Sequence, residues 1–428
     1  MPLRNASLFC VAALVAAAVV AVDAPAQAQP ASSKCAGMIS NPLCIPRTVT
    51  LDGVRLFVTK QRIRAGDPTL DQSLQALLAK ADKALTTGPW SVTDKPQTPP
   101  SGDKHDYLSQ APYWWPTQPA TADNPWGCPY VQRDGVRNPA IDDIPDHTAR
   151  GDAISAIYAL SLAWYYTGNP AYAQRAELDI RTWFIDPATR MNPSLTYTQF
   201  IPCLLDGRGI GIIDFSEALP DVVDAAAILD AGAPGWSAAD HAGISGWFGD
   251  FLEWLQTSQN GKDEAATLNN HGSFFDEQAA ALALYTGQRS LARHIVQTAE
   301  HTRIDPQIMA DGSQPEELSR TRSWHYSIFN LTALTRLASI GRHVGVDLWK
   351  YQNPAGGGLR KAVEFMLPAA VQGATAWNYP ELQFSANEAR PIIHAAADAG
   401  NHAAAQALRE MPAPTSVDLW PVQPAADD

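Results

Sequence analysis

Two short stretches carry side chains that an ordinary helix does not need. Asn269-Asn270-His271-Gly272 stands just before a helical pattern, and Arg320, Arg322, His325 and Tyr326 follow the turn Asp311-Gly-Ser-Gln314-Pro-Glu-Glu-Leu-Ser. At a helix N-terminus, Asn amides and a His ring join free backbone N–H groups and suit a bound anion. The plain alternatives are an Asn helix cap and arginines paired with Glu316 and Glu317. Two further segments add to these. Lys104-His105-Asp-Tyr107-Leu-Ser-Gln-Ala-Pro-Tyr113-Trp114-Trp115-Pro116 offers flat aromatic faces beside positive charge. Aromatic faces suit the C–H bonds of sugar rings, although they equally serve as a plug that packs a long loop onto a core. Met191-Asn-Pro-Ser-Leu-Thr-Tyr-Thr-Gln199-Phe200, followed by Asp206-Gly-Arg208-Gly-Ile-Gly211, could present Arg208 to an anion. No Gly-Lys-Ser/Thr follows, which argues against a phosphate loop, and an ordinary glycine turn is the plain alternative.

The elements that hold these residues are mostly helices. Ala- and Leu-rich periodic stretches predict helices over roughly 71–85, 148–166, 170–185, 219–231, 237–258, 272–285, 289–302, 324–341, 358–371 and 387–408. Residues 29–60 lack a helical period, and Thr48-Val-Thr-Leu and Val54-Arg-Leu-Phe-Val suggest a short strand or two. Residues 88–147 read as a long loop rich in Pro and aromatics, a length that usually marks function or a lid. Tyr166-Thr-Gly168 and Tyr285-Thr-Gly287 each precede a further helix and then Ile-Asp-Pro, at 185–187 and 304–306. Both offsets are 119 residues, so a helical hairpin is reused. Recurring paired helices suggest an all-α solenoid or a closed (α/α) toroid, or barrel, of about six or seven hairpins, with a small irregular N-terminal segment.

The 428 residues carry a formal net charge of −13, which argues against a broad basic face for nucleic acid. One positive charge at Arg4, the apolar run Leu8–Val22 and Ala26-Gln27-Ala28 form the pattern of a secretory signal over 1–28. The apolar run falls short of the ~20 residues that span a bilayer. The mature chain, 29–428 with 29–70 as an irregular lead-in, is expected to be a single domain in the periplasm or outside the cell. It keeps Cys35, Cys44, Cys128 and Cys203, an even number consistent with two disulfides in one of three connectivities. No CxxC or clustered Cys/His spacing supports a zinc site.

Taken together, the four segments resemble the alginate-lyase domain of bacterial polysaccharide lyases with α/α-toroid folds, over roughly residues 60–400. Within that group the chain looks closest to polysaccharide lyase family 38, which includes glucuronan and mannuronan lyases, and is similar more distantly to the family 5 alginate lyases. The resemblance implies that Asn270, His271, Arg320 and Tyr326 carry catalysis. Candidate substrate contacts are Lys104, His105, Tyr107, Tyr113, Trp114, Trp115, Gln199, Arg208, Gln314, Arg322 and His325. Cys203 stands where relatives carry Gly, which fits a pairing with Cys128, and Trp324 and Arg322 are expected to shape subsites.

The implied reaction is β-elimination in a 4-linked uronate. The C5 proton is removed, the carboxyl group holds the enolate, and O4 leaves. Asn270, His271 and Arg320 would neutralise the carboxylate, and no metal or cofactor is expected if these donors converge. Tyr326 would be the base, its pKa lowered by Arg320 or His271; His271 as base with Tyr326 as acid stays open. In mannuronate and glucuronate the C5 proton and O4 lie on one side of the ring, so one Tyr can serve both. The partner is then an acidic polysaccharide, met by a monomer through a basic groove of Lys104, His105, Arg208, His271, Arg320, Arg322 and His325. Two other readings stand beside this one. A glycoside hydrolase would use two of Asp276, Glu277, Glu316 and Glu317. A non-catalytic glycan-binding protein would use Trp114 and Trp115.

Overall fold

The structure is a computed structural model and describes residues 45–204, 209, 211–216 and 218–425. The expected signal segment, Cys35, Cys44 and Arg208 lie outside the described residues. The fold is all-α in class. Its principal helices are α1 (Gly53–Arg64), α2 (Asp71–Ala84), α3 (Asp146–Thr167), α4 (Pro170–Ile180), α5 (Leu219–Asp230), α6 (Ala238–Thr257), α7 (Gln259–Ala265), α8 (Asn270–Tyr285), α9 (Arg289–Ala299), α10 (Ser323–Val344), α11 (Leu359–Gln372), α12 (Arg390–Asp398) and α13 (His402–Glu410). Consecutive helices pack as hairpins at α3/α4, α8/α9 and α12/α13, and α10 lies along α8. One apolar core joins them, with Trp183, Phe184, Phe248, Phe251 and Trp324 fully buried within it. Among the described residues no helix is long and apolar enough to cross a membrane.

The repeated hairpin is visible in the backbone. Helix α3 ends on Gly168 at φ 74°, and α4 runs on into a π turn at Arg181–Ile185. Helix α8 ends just before Gly287 at φ 80°, and α9 runs on into a π turn at Glu300–Ile304. Positive φ is where glycine is favoured. The Ile of each Ile-Asp-Pro closes its π turn, after which the chain leaves the helix at Asp186 but makes one more short turn, Asp305–Gln307, in the second copy.

Two expectations change. Val54-Arg-Leu-Phe-Val is helical, within α1. Its β-branched composition suggests a strand, but the Asp52 carboxylate caps Val54 N and Arg55 N at 2.7 and 2.9 Å. The helical period then buries Leu56 and Thr59 and leaves Val54 and Val58 in solvent. Upstream, Thr48–Leu51 makes only an isolated bridge from Leu51 to Ala425, and the buried Asp224 carboxylate accepts the Leu51 N–H at 2.9 Å. The stretch 387–408 is two helices, because Gly400 takes φ 81° and Asn401 caps Ala404.

The long loop is not structureless. Strand β1 (Leu108–Gln110) pairs in parallel with β4 (Tyr197–Phe200), and β2 (Trp114–Pro116) pairs antiparallel with β3 (Tyr130–Gln132). A disulfide joins Cys128 to Cys203. A buried ion pair anchors the loop's first half: Lys95 Nζ lies 2.9 Å from Asp146 and donates to the carbonyls of Val92 and Lys104.

Candidate active site

Helix α8 starts on the Asn-His pair. Asn269 caps it by accepting from His271 N at 3.1 Å, so the capping reading holds, but for one Asn only. Asn270 is fully buried; its backbone N–H and its Nδ2 donate to the two oxygens of Glu317, each at 2.7 Å. Glu317 sits in the single turn Pro315–Leu318. His271 Nδ1 lies 2.8 Å from Glu264 Oε1, on α7. Arg320, beyond that turn, places its guanidinium 3.7 Å from the centre of the Tyr326 ring. Its Nε and Nη2 donate to Asp134 Oδ1 at 3.1 and 2.5 Å. Tyr326 is in the first turn of α10, where Glu381 accepts the backbone N–H groups of Trp324 and His325 at 2.8 and 3.2 Å. The Tyr326 hydroxyl donates to that of Tyr113, 2.9 Å away on the long loop.

The charges at this site are coupled. Burial alone would lower the His271 imidazole, but the Glu264 carboxylate, with Glu317 behind it, outweighs both burial and Arg320 and raises its pKa above the ordinary histidine value. Burial pushes Glu317 up to about 7 against its two Asn270 bonds. Burial also acts to raise Asp134, yet hydrogen bonds from Arg320 and Thr321 hold it at about 2. Tyr326 departs from expectation. Burial and the Tyr113 hydroxyl raise its pKa above the ordinary phenol value, and Arg320 offsets this only in part.

Other residues singled out in the sequence join the site or leave it. A Cβ placed on Gly211 would sit 3.3 Å from Gln199 Oε1 and 3.8 Å from His271 Cε1, so Gln199 and His271 flank one spot. Gln199 itself holds φ 53° and donates from Nε2 to Asp214 at 2.6 Å. Arg322 is half-buried where the long loop meets the helical body, its Cγ 3.2 Å from a Cβ at Gly135. Trp114 and Trp115 are half-buried on β2; Trp115 donates to Val136 O at 2.8 Å and carries Arg133 over its ring at 5.0 Å.

Six assignments are corrected. Tyr107 is fully buried edge-on against Phe215, so it offers no platform to a sugar. Lys104 Nζ donates to Lys95 O at 2.6 Å, and His105 Nδ1 binds Arg190 O at 2.6 Å. Asn192 N in turn donates to His105 O at 2.9 Å, so the Lys-His-Asp-Tyr run clasps the Met191-Asn-Pro segment instead of reaching for a ligand. Gln314 is buried, bonding Ser327 O and accepting from Asn330 at 2.7 Å. His325 pairs with Glu388 and faces a separate cavity of about 670 Å³ that Arg336 and Arg390 also line. Trp324 is likewise core, packed between Trp377 and Phe384, and shapes no subsite. The expected basic groove therefore divides: of its described members His271 and Arg320 face one another's neighbourhood, each backed by an acid.

Of the four acids considered for hydrolysis, three lie against partner side chains and one stands in solvent. Asp276 is held by Arg303 at 2.7 Å, Glu277 is buried near Arg336 at 3.6 Å, Glu317 holds Asn270, and Glu316 is exposed. Sequence reasoning missed Glu264 and Asp134. Glu264 lies seven residues before His271 across a helix break, and Asp134 meets Arg320 only through the fold, so neither had a local signal.

The sequence model of the alginate lyase family matches residues 91–377. The crystal structure of an alginate lyase from Bacteroides ovatus is similar at 34% identity and a TM-score of 0.82, covering 89% of this chain and 99% of its own. Two structures of alginate lyase A1-III share the fold. The complex of one variant with a tetrasaccharide has 17% identity and a TM-score of 0.55 over 91% of this chain and 95% of that one. The apo form has 18% identity and a TM-score of 0.53 over 90% and 97%. No curated protein matches the chain. With two thirds of its length inside the family model and a 34%-identical relative along most of the rest, the chain belongs to the alginate lyase family of polysaccharide lyases.

Proposed function

We propose that this protein cleaves a 4-linked polyuronate, mannuronan-type alginate or glucuronan, by β-elimination, on an α/α-toroid scaffold exported to the periplasm or beyond. The four sequence motifs support a reading as a relative of polysaccharide lyase family 38. The observation that carries the reading is the grouping of Arg320 over the Tyr326 ring at 3.7 Å, with Tyr326 bonded to Tyr113 and His271 within electrostatic reach of Arg320.

In this reading Arg320 and His271 take the uronate carboxylate and hold the negative charge that develops there as C5 loses its proton. Asn270 sets the geometry of the first turn through its bonds to Glu317. Tyr326 removes the C5 proton and returns it to O4 as the C4–O4 bond breaks, leaving a 4,5-unsaturated uronate and a free hydroxyl. Because its surroundings raise its pKa instead of lowering it, Tyr326 needs somewhere to release its own proton first. The Tyr113 hydroxyl, 2.9 Å away, accepts that hydrogen bond, and in this reading it relays the proton by passing its own O–H proton to solvent as it takes the one from Tyr326.

Elimination creates a conjugated double bond that absorbs in the ultraviolet, whereas hydrolysis creates only reducing ends. Purified protein is expected to raise ultraviolet absorbance on mannuronan or glucuronan and to do so weakly on guluronan. Reducing ends without new absorbance would assign a hydrolase. Binding with neither would assign a glycan-binding protein.

Trp114 tests the aromatic run. Trp114→Ala is expected to raise KM on defined oligomers several-fold while kcat changes less, because stacking holds ground state and transition state alike. An unchanged KM would return Trp114 to loop packing.

A further inference from the structure

We propose that Glu264 is a positioning residue for the elimination: its buried carboxylate fixes the His271 ring through Nδ1 and so turns Nε2–H toward the uronate carboxylate as a charged donor. The inference rests on the lyase reading and adds a residue that reading does not contain.

The geometry is that of a carboxylate–imidazole pair with one wet end. Glu264 is 3% exposed and its Oε1 lies 2.8 Å from His271 Nδ1, while the His271 side chain keeps 29% of its surface exposed. Which nitrogen of a histidine carries the outward proton is set by the bond the other nitrogen makes. With Nδ1–H taken by Glu264, Nε2 is the atom left to face a ligand. The ring edge is already aimed at the spot flanked by Gln199 and Gly211, since Cε1 lies 3.8 Å from a Cβ at Gly211.

Glu264 is itself held rigid. Helix α7 is tied at its start by Ser258, which accepts from Gly261 N at 3.0 Å. A Cβ on Gly261 would stand 1.9 Å from Leu255 O, so only glycine lets α7 turn this tightly off α6. At the other end Thr267 donates from both its N–H and its hydroxyl to Glu264 O, at 3.1 and 2.8 Å. The backbone that carries the carboxylate is therefore fixed, and burial of the side chain confines it there.

The charged groups that face His271 are Glu264 from α7, Glu317 from the turn Pro315–Leu318 and Arg320 beyond it. Behind Gly272 the Arg303 guanidinium is neutralised by Asp276 at 2.7 Å. Glu264 is the acid in direct contact, so it is the group whose loss changes the ring most. A ring whose protonated form is favoured by a bonded acid is the better donor and the poorer proton acceptor. This favours Tyr326 over His271 as the base.

The test is Glu264→Gln, which keeps shape and one hydrogen bond but removes the charge. The expected result is a fall in kcat of about 10- to 100-fold, the scale on which carboxylates that orient histidines act elsewhere, with a smaller change in KM. The limb of the pH–rate profile that tracks His271 is expected to move to lower pH, and the nitrogen NMR shifts of His271 to titrate at correspondingly lower pH. Glu264→Asp, which keeps the charge, is expected to recover part of both. A merely structural acid would leave the pH limb and the NMR titration where they were, and that result would overturn the proposal. His271→Ala separates the two layers: if it keeps full turnover, the lyase site is wrong; if it is inactive while Glu264→Gln matches the native protein in kcat and pH profile, only the role of Glu264 is wrong.

Discussion

Tyr326→Phe lowers turnover by at least ~100-fold, the usual range for a positioned acid–base group, and leaves oligosaccharide binding within a few-fold of native. The ring stays in place under Arg320 and against His325 and Phe329, so the variant removes one oxygen and little packing. The hydroxyl bond to Tyr113 is worth about 1 kcal/mol of stability at most, too little to unfold a core of this size. Single-turnover ultraviolet absorbance measures the chemical step, and calorimetric titration with a short oligomer measures binding. Activity above a few per cent of native would assign the base elsewhere, with His271 next in line. Loss of binding together with turnover would make Tyr326 a substrate contact.

Arg320→Ala lowers kcat/KM by ~100- to 1,000-fold, the cost of removing one preorganised donor from a developing negative charge. Three things change at once. The uronate loses its planar cationic fork. Asp134, half-buried, loses one of the two partners, Arg320 and Thr321, that hold its carboxyl at about 2. Tyr326 loses the one neighbour that lowers its pKa. Arg320→Lys restores a positive charge but not two parallel N–H donors, so it recovers only a small part of the activity. Steady-state kinetics on a mannuronan tetramer distinguish the cases. If Lys restores nearly everything, charge alone matters and the fork geometry is irrelevant.

Much of the helical plan is legible in the sequence because apolar period, glycine stops and Asn caps agree with one another. The hairpin ending at Gly168 and its counterpart ending at Gly287 are the plainest cases, since the same stop signals act on the same backbone geometry. Where local signals conflict, the fold decides: Val54 and Val58 favour a strand by type, but the Asp52 cap and the burial of Leu56 make a helix. The Asn-His and Arg…Tyr pairs that open α8 and α10 do converge at one place. What the sequence hides is direction. Tyr107 and Tyr113 differ by six residues in one aromatic run, yet one is buried against Phe215 and the other meets Tyr326. Lys104 and His105 look like ligands for an anion and instead fasten two loops together. The acids behind His271, Asn270 and Arg320 come from α7, a single turn and the long loop, and no periodicity connects them.

Those acids bear on how the protein meets a polymer. Glu264, Glu317 and Asp134 stand against the positive charge of His271 and Arg320, so these residues project only a short-range attractive field. At ordinary salt the net charge of −13 is screened beyond about 8–10 Å, but at low salt, where charges reach about 30 Å, an approaching polyanion meets mainly that net charge. Encounter is then slowed by mutual repulsion, and attraction begins only at contact. Added salt, which loosens most protein–polyanion complexes, would hasten this one's first meeting with its substrate before it weakens the grip.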